Sequence, residues 1–271
     1  MRAGEAMKPS RNNRQRGVTL IEMIVVIVVS GILLSITGMF VRNQITAYLD
    51  VARRSDLADI ADGALRHIAR DVQGSVPNSL RPSSTDSLYI ELVPIVNAGR
   101  FASQDTMSLS SPLKLQGAPI SILAGQSVVI CNTGQDLANL YAGSNLRVLT
   151  AGNSLTSLAF SGGDVTDYCS SNRFQVIGGA VVYAFEAAAH TLWRFSGCGL
   201  KSAQLSTIAD LTANCSVKAI MANRVASASF NFSPNVAPSL GILTARLVLA
   251  ADDVPDEKVT LLHQINVLNS P

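Results

Sequence analysis

The chain has 271 residues, 48% of them apolar and only 15% charged, with a net charge of +2. That length allows one long helix and a globular domain with its own core. Residues 1–17 hold Arg2, Lys8, Arg11, Arg14 and Arg16 against Glu5, which is +4 of the total, so the remainder carries −2; a nearly neutral body has no electrostatic footprint for nucleic acid, and that class is set aside.

The first predicted element is apolar. Residues 18–41, VTLIEMIVVIVVSGILLSITGMFV, contain no basic group and one acid, Glu22. As a helix they extend roughly 36 Å, enough for a bilayer core of about 30 Å. The basic segment ahead of them orients such a span with residues 1–17 in the cytoplasm and the body across the membrane. A cleaved secretory signal or a plain anchor is the simpler reading, and two features oppose it. No small-residue cleavage site follows the apolar run, which leads into Phe40, Val41 and Arg42. An unpaired carboxylate inside hydrocarbon costs at least a few kcal/mol, so Glu22 has no use in a plain anchor.

Arg16-Gly17-Val18-Thr19-Leu20-Ile21-Glu22-Met23 resembles the class III signal of type IV prepilins and type II secretion pseudopilins. The resemblance implies that a prepilin peptidase cuts after Gly17 on the cytoplasmic side and methylates the new N-terminus at Val18. It places Glu22 at the fifth mature position as the residue of subunit assembly. Val18 departs from the phenylalanine usual in that family. The amine created at Val18 and the carboxylate of Glu22 stand one helical turn apart, and the helix dipole favours an acid there. The pair forms either within one helix or between the carboxylate and a neighbouring subunit's amine, which would set an axial register.

The helix is expected to continue. Leu57, Ile60, Ala61, Ala64, Leu65, Ile68 and Val72 recur at helical spacing, with Asp62 and Arg66 four apart on the polar side. Gly74 and Pro77 end the pattern, so residues 18–72 form a spine of roughly 80 Å. Residues 68–82 and the ending 264–271 are similar to the corresponding stretches of J-type minor pseudopilins and of the MshO group of MSHA pilus biogenesis proteins, the latter being the preferred match.

Beyond residue 82 the pattern turns to β, with runs at 88–93, 127–131, 154–160, 174–185, 191–195, 228–232, 243–250 and 259–267. Residues 181–186 and 191–195 read as a hairpin, and 83–87 and 143–152 as surface loops. The expected class is α+β, a helical spine packed on one or two antiparallel sheets. The expected division is a cleaved leader at 1–17, a transmembrane and filament-core helix at 18–41, the periplasmic half of the spine at 42–76 and a β-rich domain at 77–271.

Cys131, Cys169, Cys198 and Cys215 lack zinc or redox-motif spacing and read as one or two disulfides of an oxidising compartment. Cys198 and Cys215 are the favoured pair because they are local; the count leaves the connectivity open. His67, His190 and His263 are scattered, and no phosphate loop or nucleophile elbow appears. Ser161-Gly162-Gly163-Asp164 reads as a turn, and Trp193 as core. Asp252, Asp253, Asp256 and Glu257 cluster without calcium-loop spacing and read as a solvated turn.

No catalytic residue, metal or cofactor is expected. The resemblance implies a minor pilin or pseudopilin of the inner membrane and then of a filament. Its implied partners are prepilin peptidase, other minor and major pilins, an inner-membrane assembly platform and lipid. A membrane-anchored periplasmic enzyme or sensor, and a tip adhesin, are the competing readings.

Overall fold

The computed structural model describes residues 17–83, 87–102, 107–237, 240–252 and 254–268. The fold is α+β: one long N-terminal helix, α1 (Leu20–Gln73), is followed by an antiparallel β domain. By contacts the chain divides into two units, Met1–Ala52 and Arg53–Pro271.

In the first unit the described residues are a capped helix start and helix. Leucine, isoleucine and valine occupy every side of it, and residues 20–49 are all exposed.

In the second unit α1 shows the predicted stripe. Leu57, Ala61, Ala64, Leu65, Ile68 and Val72 are buried, while Asp62 and Arg66 pair at 2.6 Å on the polar side. The helix stops where Gly74 donates to Arg70 O and the Ser75 hydroxyl takes up the Val72 carbonyl. Val76 N then bonds Val93 O and brings the chain alongside the sheets.

The strands follow in chain order: β1 (Arg81–Pro82), β2 (Tyr89–Leu92), β3 (Ile95–Phe101), β4 (Ser108–Leu109), β5 (Leu113–Gln116), β6 (Ile120–Ile122) and β7 (Ser127–Val129). Next come β8 (Leu146–Leu149), β9 (Gly152–Leu155), β10 (Ser157–Leu158), β11 (Phe160–Ser161), β12 (Val165–Thr166) and β13 (Arg173–Ile177). The last are β14 (Ala180–Glu186), β15 (Thr191–Cys198), a short helix α2 (Ile208–Asn214), β16 (Val217–Ala222), β17 (Val225–Ala237), β18 (Leu240–Ala250) and β19 (Lys258–Leu268).

Three sheets carry the architecture: β1-β2-β14-β15-β16, β10-β5-β3-β13-β7-β8-β11 and β17-β18-β19, with β12-β4 and β6-β9 as small ribbons. All the strand pairings are antiparallel. The helix stripe shares one apolar cluster with Val181, Tyr183 and Phe185 of β14 and with Phe230, Leu243, Ala245 and Leu247 of the three-stranded sheet. Val182 and Ala184, on the other face of β14, join Phe195, Val129 and Leu140 in another cluster. This strand is therefore covered on both sides, which is why it reads as an apolar run and not as an alternation. Phe101, Leu113, Phe174 and Val176 anchor a cluster belonging to the seven-stranded sheet.

Several expectations are corrected. The run 174–185 is two strands in two sheets, broken at Gly178 and Gly179. A Cβ at Gly179 would lie 2.9 Å from Cys198 O, so only glycine lets the chain cross there. The loop expected at 143–152 contains β8. Run 154–160 is split among β9, β10 and β11. The 181–186/191–195 hairpin is present, turning through a 3-10 turn at Ala187–Ala189.

Candidate functional site

The start of α1 is built by its own sequence. Leu20 opens the helix, and Thr19 caps it by accepting from Glu22 N at 3.3 Å. Met23 N donates to Thr19 O at 3.2 Å. Thr19 followed three residues later by Glu22 is the spacing of a capping box, and Glu22 falls in the first turn, where the helix dipole favours a carboxylate. Val18 is exposed one residue before the cap.

Gly17 lies just ahead of it. A Cβ added there would meet nothing within 4 Å, and the backbone is outside the left-handed region. The fold itself does not require glycine at this position. Residues 1–16, expected to belong to the leader, lie outside the described residues.

The helix that follows is long and apolar enough to cross a membrane, and none of its most apolar stretch is buried. Burying a single leucine, isoleucine or valine is worth about 1.5–3 kcal/mol. A stretch with Leu20, Leu34 and Met39 each at least 70% exposed is stable only against lipid or other apolar helices.

The cysteines are paired, Cys131 with Cys169 and Cys198 with Cys215. The first bridge has Asp167 beside it, whose carboxylate accepts from the backbone N–H groups of Cys169 (3.0 Å) and Asn172 (3.3 Å). Both sulfurs are used in the bond, and the acid serves as a turn cap. The second bridge joins β15 to the end of α2, whose Thr207 cap and buried Leu211 the sequence reading missed.

The clustered acids separate. Asp252 and Asp256 are exposed and Asp253 is outside the described residues. Glu257, only 9% exposed at its side chain, takes Arg54 at 2.5 Å and Arg53 at 3.5 Å. Arg224 likewise meets Asp56 at 2.6 Å. Trp193 is half-buried and packs at the edge of an apolar cluster; its indole N–H donates to Glu186 at 2.8 Å and Lys218 lies 3.9 Å above its ring.

The histidines are not brought together. His67 meets the Tyr183 hydroxyl at 2.9 Å, and that hydroxyl donates to Asp71 at 2.7 Å. Arg194 also donates to Asp71, at 2.9 Å. With its one proton committed to Asp71, the phenol accepts from His67 Nδ1–H. Burial, then the bond and charge of Asp71, push the Tyr183 phenol far above the usual tyrosine range. His190 ends the 3-10 turn, and His263 lies on β19. This cluster fastens α1 to β14 and β15 and is fully engaged in doing so.

A second network holds Arg81. It grips the buried Glu91 with two nitrogens at 3.0 and 3.1 Å, stacks 3.6 Å over Tyr141, and donates to the Lys201 and Ser202 carbonyls. Burial raises the Glu91 pKa, with Arg81 opposing it; burial and then the Glu91 charge raise the Tyr141 phenol well above its usual range.

No curated protein and no solved structure is matched by the chain. Residues 12–38 match the prokaryotic N-terminal methylation motif, a stretch that includes Gly17, Val18 and Glu22 and the first turns of α1. The chain thus carries a type IV prepilin-like methylation motif on a helix whose composition and exposure suit membrane anchoring.

Proposed function

We propose that this chain is a minor pilin or pseudopilin. Prepilin peptidase removes residues 1–17 by cutting after Gly17 and methylates Val18. The subunit stays in the inner membrane through residues 18–41, with its β domain in the periplasm, until it enters a filament. There its apolar helix packs with those of other minor and major pilins at the assembly platform. Glu22 neutralises the Val18 amine of its own chain or of a neighbour. The role is structural, without cofactor or catalysis, in the initiating or tip complex of an MSHA-like pilus, as an MshO-type protein, or of a type II secretion pseudopilus.

One observation carries the reading: the methylation motif coincides with a capped, acid-bearing helix start and an apolar helix whose side chains over residues 20–49 are exposed among the described residues. The glycine at position 17, which the fold does not require, supports recognition by an enzyme. Disulfides in the body support an oxidising compartment.

Intact-mass and N-terminal analysis of the protein from bacterial inner membranes tests it. The expected chain begins at Val18 with one added methyl group, and a Gly17→Leu variant stays uncut. A chain beginning at residue 1, or cut after the apolar run, overturns the proposal.

A further inference from the structure

The seven-stranded sheet turns one face onto its apolar cluster and leaves part of the other bare. The side chains sort themselves by alternation. Phe101 and Phe174 point inward, and a Cβ at Gly99 would strike the Phe174 ring at 2.7 Å. Val96, Ala98 and Arg100 of β3 therefore point outward, and all three are exposed.

Register then gathers charge. Arg173 of β13 stands directly opposite Arg100, and Gln116 of β5 flanks Arg100 on the other side. Lys114 shares that face two residues along β5. Arg173, Lys114 and Gln116 are exposed as well. None of β3, β5 and β13 contains an acid, and the three cations have no ion-pair or hydrogen-bond partner among the described residues.

Two like charges opposite each other in an antiparallel pair stand with Cβ atoms about 4.5–5.5 Å apart and repel. Elsewhere in the domain Arg53, Arg54, Arg66, Arg81, Arg194 and Arg224 each face a carboxylate. Arg100 and Arg173 face each other instead. Paired guanidinium forks match carboxylates in geometry and charge.

The surroundings distinguish among anions. Val96 and Ala98 continue the patch along β3 as an apolar strip. Gln175, next along the same face of β13, is buried and bounds the patch there. Carboxylates for the arginines and apolar side chains for Val96 and Ala98 come together in an acidic, partly apolar peptide. A phosphate or sulfate ester supplies only the charge.

We propose that the bare sheet face around Arg100, Arg173 and Lys114 is a docking surface for an acidic, partly apolar peptide segment of a partner protein. It goes beyond the packing of the N-terminal helix and holds whether or not the helix is processed.

The test titrates a fluorescein-labelled peptide of alternating glutamate and valine against the full chain in neutral detergent, read by anisotropy at low and high salt. Binding that weakens with salt is expected. The double variant Arg100→Glu/Arg173→Glu should bind at least about tenfold more weakly, while Arg246→Glu on β18 binds as the parent does. A peptide with lysine in place of glutamate should bind that double variant. Arg173→Glu alone sets a carboxylate opposite Arg100, so its Tm should rise, which also shows that the fold tolerates the change. Absent binding to the parent chain, undiminished binding to the double variant, or a lowered Tm for Arg173→Glu would overturn the proposal. Heparin fragments and phosphatidylglycerol vesicles run in parallel; tighter capture of either through the same two arginines would overturn the assignment to a peptide.

Discussion

Two stretches of α1 differ in what surrounds them. Residues 20–49 carry apolar side chains on every side and bury none, whereas residues 53–73 bury six through one stripe and turn Asp59, Arg66 and Arg70 outward. The backbone is helical in both. In the second stretch the period of the sequence points to a surface of the same chain. In the first there is no period, only composition, and composition without period points to a surround that the described residues do not supply. A helix apolar all round suits a surround of lipid or other helices.

The sharpest way to break this comparison is a matched pair of substitutions. Leu65 is 2% exposed within the main apolar cluster, and Leu65→Ala should cost the β domain about 2–5 kcal/mol, through lost burial and a residual cavity. Leu33 is 60% exposed, and Leu33→Ala should leave domain stability unchanged within about 0.5 kcal/mol. Thermal unfolding in detergent, followed by near-UV circular dichroism, reads both. A comparable loss from Leu33→Ala would show that the first stretch has partners inside its own chain after all.

Alkaline pH acts on the packed stretch through Tyr183. Its phenol is raised in the folded state by burial and by Asp71, against about 10 when unfolded. Above pH 10 the unfolded chain releases a proton that the folded chain keeps, so the folded state holds more protons and stability falls as pH rises. The stabilisation is complete below pH 10 and shrinks by about 1.4 kcal/mol for each pH unit above it. Tyr141 acts in the same sense. Absorbance of tyrosinate should show these two phenols ionising only together with unfolding, and Tyr183→Phe should flatten the dependence. Independent titration of both before unfolding would remove the cause.

Glu257 marks where the packed stretch begins. It holds Arg53 and Arg54, the first residues of the second unit. Glu257→Gln should cost about 1 kcal/mol, modest because Arg54 is 68% exposed and water screens the pair. The loss should be local: amide exchange is expected to quicken over residues 53–57 and not at Ile68. Uniform quickening would place the anchor elsewhere.

The sequence announced some of this and concealed the rest for physical reasons. The stripe from Leu57 to Val72, the Asp62–Arg66 pair and the stop at Gly74 follow from spacing of three and four and from the needs of a helix end. The long strands β17, β18 and β19 were legible as β-rich runs because one face of each is buried. The seven-stranded sheet was not recognised as a unit: its strands are two to seven residues long, and β8 lies in a stretch rich in glycine, serine and asparagine. At the helix start, Glu22 stood out because an ordinary anchor has no use for an acid, while Gly17 and Val18 were read through the resemblance to the prepilin signal. Thr19 as the cap was missed, although its spacing to Glu22 was there to read. The ties of Glu257, Asp71 and Arg81 join residues up to about two hundred positions apart, and only folding brings them together.

The smallest effect separates a legible contact from an energetic one. Asp62 and Arg66 meet at 2.6 Å, yet their side chains are 45% and 72% exposed. An exposed pair four residues apart on a helix is worth about 0.3–0.5 kcal/mol, because water screens the charges and two mobile side chains must be held still. Loss of the pair in Asp62→Ala should therefore contribute roughly that much destabilisation at low salt, and this contribution should fade as salt approaches 1 M, where the Debye length is about 3 Å. Alanine's better helix propensity works against the loss, since aspartate is the poorer helix former by up to about 0.7 kcal/mol. The net change is expected near zero, with its sign set by ionic strength. A loss above about 1 kcal/mol would mean that the polar side of the packed stretch, and not only its buried stripe, holds the helix in place.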